Sequence, residues 1–150
     1  MFLGPCFSPV AQFGTWGYEP MVQNSSILVV DDFEPMRRAL KVVLTDLGYL
    51  NLIEAEDAVT ALQLLKGGDF AVMITDWHLQ GGMSGLELVR KVRADDRLAH
   101  LPVLMLTGQS GRAQIVTAMQ AGVTAYLVKP FTTAELREKI NSVLSSTSAA

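Results

Sequence analysis

The chain has 150 residues, 49% of them apolar and 18% charged, which suits one globular domain with a real core and excludes a disordered segment. A net charge of -3 argues against a nucleic-acid-binding surface. A single cysteine, Cys6, excludes an internal disulfide and a cysteine metal site, and no apolar run is long enough to span a bilayer. No Lys or Arg precedes Arg37, against a secretory signal or an Arg-rich transit peptide, so the expectation is a cytoplasmic monomer with no nucleic-acid or membrane partner.

Residues 1–25 stand apart. They hold Pro5, Pro9 and Pro20 with five aromatics, and they lack any period of two or of 3.6 residues. They read as a flexible N-terminal extension, with Met21 as an alternative start. The domain is expected over 26–146, with 147–150 as a small, polar, frayed tail.

Ile27 to Val30 predicts a buried first strand. Met36, Leu40, Val43, Leu44 and Leu47 then fall at helical spacing, with Pro35 early and Gly48 beyond the end. Leu52-Ile53 reads as a short second strand, and Asp57 as the cap of a helix carrying Ala58, Leu62 and Leu65. Phe70 to Thr75 predicts the third strand. Gly85 to about Ala94 predicts a helix with Leu86, Val89 and Val92 inward. Pro102 to Leu106 is the fourth strand, Arg112 to Ala121 a helix ended by Gly122, and Ala125 to Val128 the fifth strand. Thr132 and Glu135 form a capping box for a last helix burying Leu136, Ile140, Val143 and Leu144.

Five apolar strands alternating with helices imply a parallel sheet covered on both faces, joined by right-handed crossovers. Ligands of such sheets bind beyond the carboxyl ends of the strands. At those ends stand Asp31 and Asp32, Asp76, Thr107 and Lys129. Three carboxylates together repel unless a cation compensates. An all-oxygen donor set suits a hard divalent cation such as Mg²⁺. A cation, a lysine and a hydroxyl are what in-line phosphoryl transfer needs, with Asp76 as the nucleophile. Taken singly, each residue has a plainer reading: Asp31-Asp32 as caps of the next helix, Thr107 as a turn residue, Lys129 as a solvated charge.

The stretches VVDDFEPMRR, AEDAVTAL, ITDWHL, GLELVRKVRAD, LPVLMLTG and AGVTAYLVKPFTTAELREKIN together resemble the receiver domains of two-component response regulators, most closely the stand-alone chemotaxis members. The resemblance implies a flavodoxin-like (βα)5 fold with a five-stranded parallel sheet in the order 2-1-3-4-5. It implies Asp76 as phosphoacceptor, and Mg²⁺ held by Asp31, Asp32, Asp76 and the backbone carbonyl of His78. It implies Lys129 as the family's lysine, a cis bond to Pro130, and Thr107 with Tyr126 as the switch pair. Arg112 and Ile115 are expected on the output face. The side chains two places after Asp76 and Thr107, His78 and Gln109, are expected to flank the hydrolytic water.

The function implied is a phosphorylation-controlled switch without turnover of an external substrate. A histidine kinase of the chemotaxis type would be the phosphodonor. An output protein such as the flagellar motor switch would be the target, with a phosphatase as a further partner. A phosphate-sink or docking receiver is the alternative. A haloacid-dehalogenase-like phosphatase is a weaker one, because that family wants Asp-x-Asp where this chain has adjacent Asp31 and Asp32.

Overall fold

The computed structural model describes residues 26–108 and 111–149. The N-terminal extension, Gln109 and Ala150 lie outside the described residues. Strands β1 (Ser26–Val30), β2 (Leu52–Ala55), β3 (Phe70–Asp76), β4 (Val103–Thr107) and β5 (Ala125–Val128) form one parallel sheet. Its order is β2-β1-β3-β4-β5, as the resemblance implies. The helices between and after them are α1 (Glu34–Asp46), α2 (Ala58–Gly67), α3 (Gly85–Ala94), α4 (Arg112–Ala121) and α5 (Thr133–Ala149).

Alternation along the strands divides the core in two. Leu28, Val30, Met73 and Met105 face a cluster with Leu65, Leu88, Val89 and Ala118 from α2, α3 and α4. Ile27, Val29, Ile74, Leu104 and Leu106 face a cluster with Leu40, Leu44, Leu136, Ile140 and Val143 from α1 and α5. Both faces of the central strands are thus apolar, and polar residues there are confined to the strand ends.

The helix signals act as read. Asp57 accepts from the Thr60 N–H at 2.8 Å, capping α2. Thr132 and Glu135 exchange hydrogen bonds of 2.8 and 3.1 Å ahead of α5. Gly122 ends α4 in the left-handed region at φ 109°, where a glycine is least strained. Helix α5 itself continues to Ala149, into the segment read as a tail.

Four strands shift at their ends, β1 by starting at Ser26 and the others as follows. Strand β2 runs on through Glu54 to Ala55, because the ladder with β1 continues to Val30–Ala55. Asp76 is the last residue of β3, paired opposite Leu106. Strand β4 starts at Val103; Pro102 has no N–H to give the ladder, though its carbonyl accepts from Met73 at 2.9 Å.

Candidate functional site

The carboxyl ends of β1, β3 and β5 converge. Asp31 follows β1, and its N–H continues the ladder to the Ala55 carbonyl at 3.1 Å. Lys129 follows β5, and its N–H bonds the Thr107 carbonyl at 2.7 Å. The Lys129 ammonium stands 3.2 Å from Asp76 Oδ2 and 3.7 Å from Asp31 Oδ2. Asp31, Asp32 and Asp76 each offer an oxygen, and the three lie within 4.8 Å of one another.

The capping alternative for Asp31-Asp32 does not hold. Phe33 is the N-cap of α1, and no side chain caps it. Asp31 turns back on its own backbone, with Oδ1 accepting from the Phe33 N–H at 2.9 Å. Asp31 is almost wholly buried, and its Oδ2 has no hydrogen-bond partner among the described residues. Burial raises the Asp31 carboxyl above its ordinary value of 3.8. The Phe33 N–H and Lys129 pull it down, while Asp76 and Asp32 push it further up.

An orphaned buried oxygen beside two more carboxylates fits a cation. The donors are all oxygen, which matches Mg²⁺ rather than a soft metal. Asp31, Asp32 and Asp76 are the residues that would hold it.

The approach to Asp76 is shaped by α3. The Gly85 N–H bonds the Trp77 carbonyl at 2.7 Å, and a Cβ at Gly85 would fall 1.9 Å from the Asp76 carbonyl oxygen. Only glycine lets the start of α3 close over the end of β3. Ser84 and Glu87 hold that start with a capping box. Trp77 is half-buried against the α2–α4 side of the core. His78 is exposed, and its ring stacks on Trp77 at a centroid distance of 6.2 Å.

Thr107 ends β4 and is wholly buried, so it is no surface turn residue. Tyr126 on β5 is half-buried and hydrogen-bonded to Thr107; burial raises its hydroxyl above 10.0, and the Thr107 bond opposes the rise. The Lys129–Pro130 peptide is cis. Arg112 is exposed and Ile115 half-buried on α4, which also exposes Val116 and Met119.

Sequence reasoning missed Arg37 and Glu54. Arg37 is buried, donating to the Asp31 carbonyl at 2.7 Å and to Glu54 Oε1 at 2.9 Å. Lys41 also reaches Glu54, at 2.8 Å. A signal existed: Arg37 lies three and seven places before Leu40 and Leu44, on the apolar stripe of α1.

Comparison with known proteins agrees with this geometry. Residues 27–141 match the family model described as the response regulator receiver domain. The chain is 52% identical over 121 residues to the chemotaxis protein CheY-3 of Vibrio cholerae serotype O1, covering 81% of this chain and 92% of that protein. It is 54% identical over 117 residues to the chemotaxis protein CheY of Pseudomonas aeruginosa, covering 78% and 94%. The crystal structure of the receiver domain of a Pseudomonas aeruginosa sensor histidine kinase superposes with a TM-score of 0.73 at 25% identity, covering 81% of this chain and 98% of that one. That structure has a magnesium ion coordinated in its active site cleft.

Proposed function

The chain belongs to the response regulator receiver family, homologous to the chemotaxis CheY proteins, and we propose that Asp76 is its phosphoacceptor. A receiver of this type is a signalling switch rather than a classical enzyme. The observation that carries the residue assignment is the Lys129 ammonium standing between Asp76 and Asp31, whose Oδ2 has no hydrogen-bond partner among the described residues.

An Asp76 carboxylate oxygen attacks the donor phosphorus, the bond to the leaving group breaks, and the acyl phosphate keeps the phosphoryl group. With a histidine kinase as donor, the bond broken is phosphorus to imidazole nitrogen, and the imidazole recovers a proton. Mg²⁺, when bound by Asp31, Asp32, Asp76 and the His78 carbonyl, neutralises charge that develops on the phosphoryl oxygens. Lys129 holds its ammonium beside the same oxygens. Thr107 donates its hydroxyl to the phosphoryl group, which draws it from Tyr126. Tyr126 then changes its packing against α4, and the equilibrium between two surfaces shifts.

The output face comprises Arg112, Ile115 and the exposed Val116 and Met119 of α4, with β5 and Pro130. Its partner is an output protein of the chemotaxis type, such as the flagellar motor switch, and a phosphatase is a further partner. Residues 1–25 lie outside the domain and take no part in the chemistry. The setting is the cytoplasm; among the described residues no helix is long and apolar enough to cross a membrane.

The test is incubation with acetyl phosphate and Mg²⁺, read by intact mass. One phosphoryl group is expected on the native chain and none on Asp76→Asn or after chelation. Undiminished labelling of Asp76→Asn contradicts the assignment.

A further inference from the structure

Arg37 is 9% exposed and sits on the inward stripe of α1. The two ends of its guanidinium fork act on different elements. Nε donates to Glu54 Oε1 on β2 at 2.9 Å, and Nη1 donates to the Asp31 carbonyl at 2.7 Å. The Asp31 N–H is already fixed to the Ala55 carbonyl at 3.1 Å. Asp31 is therefore gripped on both of its flanking peptide groups, by β2 through its N–H and by α1 through its C=O. Its Oδ1 is fixed in turn by the Phe33 N–H. One direction remains for Oδ2, toward Lys129, Asp32 and Asp76.

The charge of Arg37 is matched locally by Glu54. Its hold on Asp31 goes through a backbone carbonyl and not through the carboxylate. A lysine could not reproduce the hold, because one ammonium lacks the rigid fork that serves Glu54 and the carbonyl together.

We propose that Arg37 is a positioning residue for the cation site, setting the direction of the free Asp31 oxygen and hence the affinity for Mg²⁺. The proposal rests on Asp31 being a metal ligand, as argued above. Groups that orient a metal ligand from behind change affinity by about 10- to 100-fold when removed.

The test titrates Mg²⁺ into metal-free full-length protein carrying Trp16→Phe, reading Trp77 emission and, separately, melting temperature. Arg37→Met is expected to raise the half-saturating Mg²⁺ concentration about tenfold. Saturating Mg²⁺ is expected to restore its labelling by acetyl phosphate. Arg37→Lys is expected to shift the midpoint in the same direction by less, and it decides the matter if Arg37→Met does not fold. Lys41→Met removes the other partner of Glu54 without touching Asp31, and should keep the native midpoint. An unshifted midpoint in the folded Arg37 variant overturns the proposal, as does an equal shift in Lys41→Met. A native chain with no saturable response instead overturns the metal reading of Asp31 itself.

Discussion

Two charged clusters lie beside β1, and they are balanced in opposite ways. On the α1 side Glu54 meets both Lys41 and Arg37, and their hydrogen bonds, Lys41 first, hold its carboxyl below the ordinary 4.5. At the end of β1, three carboxylates converge, two of them paired with Lys129, and Asp31 is raised, chiefly by burial. The first cluster is completed by the protein's own side chains and stabilises the fold. The second is left short of positive charge, and on the proposed reading a cation from solution would complete it. Conformation is maintained by matching charge, and a binding function by leaving it unmatched.

The largest expected difference between the clusters is their response to Mg²⁺. Ligand at a hundredfold excess over its dissociation constant adds about 2.7 kcal/mol to stability. Thermal melts with and without Mg²⁺ should show that gain in the native chain and lose most of it in Asp31→Asn. Lys41→Met, in the other cluster, should keep it.

Next comes a pair of substitutions with opposite signs in metal-free buffer. Asp31→Asn keeps an acceptor for the Phe33 N–H and removes a buried like charge. It should stabilise the fold by about 1 kcal/mol, or about 4 °C in melting temperature. Glu54→Gln leaves the buried Arg37 without an anionic partner and should destabilise it by a comparable amount. Equal signs would show that the clusters do not differ as argued.

Acidity sharpens the contrast further. The folded Asp31 carboxyl is raised above 3.8, so its favourable contribution is full below that value and is lost as pH rises through its folded value. Glu54 is lowered below 4.5, so its contribution is full above that value and is lost as pH falls through its folded value. Melts in metal-free buffer should therefore show the Asp31→Asn gain at neutral pH fading as pH falls through the folded value of Asp31 and gone below about pH 3.8. The Glu54→Gln loss, present at neutral pH, should also fade with acid.

The smallest effect lies in the switch pair. Burial raises the Tyr126 hydroxyl and its bond to Thr107 opposes this. Thr107→Val should push the titration of Tyr126 slightly higher, read by NMR of the labelled tyrosine ring. A downward shift would mean that the two hydroxyls are not coupled.

Much of the first-order geometry is legible in sequence because apolar runs end abruptly. Phe70 to Ile74 stops at Thr75 and Asp76, and the ladder places that carboxylate at the sheet edge. Helix α4 and strand β5 carry the boundaries their spacing predicts. Strand β2 is harder, since Glu54 breaks its apolar run, and only pairing with β1 extends it to Ala55. Arg37 is hidden for a related reason: a charge on an apolar stripe reads as surface until a buried carbonyl and carboxylate are found to receive it. Arg93 is similar, with its Nη1 donating to the Leu101 carbonyl and its Nε to that of Gly122 at 2.9 Å. The roles of Thr107 and Tyr126 come from the resemblance alone, because a hydroxyl at a strand end has no periodic signature. His78, read as a flank of the hydrolytic water, presents an exposed ring stacked on Trp77, while its companion Gln109 lies outside the described residues.

The central claim is that the unmatched cluster exists so that Asp76 can take a phosphoryl group. Borohydride reduction of the protein after treatment with acetyl phosphate and Mg²⁺ converts a phosphorylated aspartate to homoserine, which peptide mass mapping locates. The account predicts homoserine at position 76 alone, and only when Mg²⁺ is present. Homoserine at 31 or 32, or labelling indifferent to Mg²⁺, would contradict it.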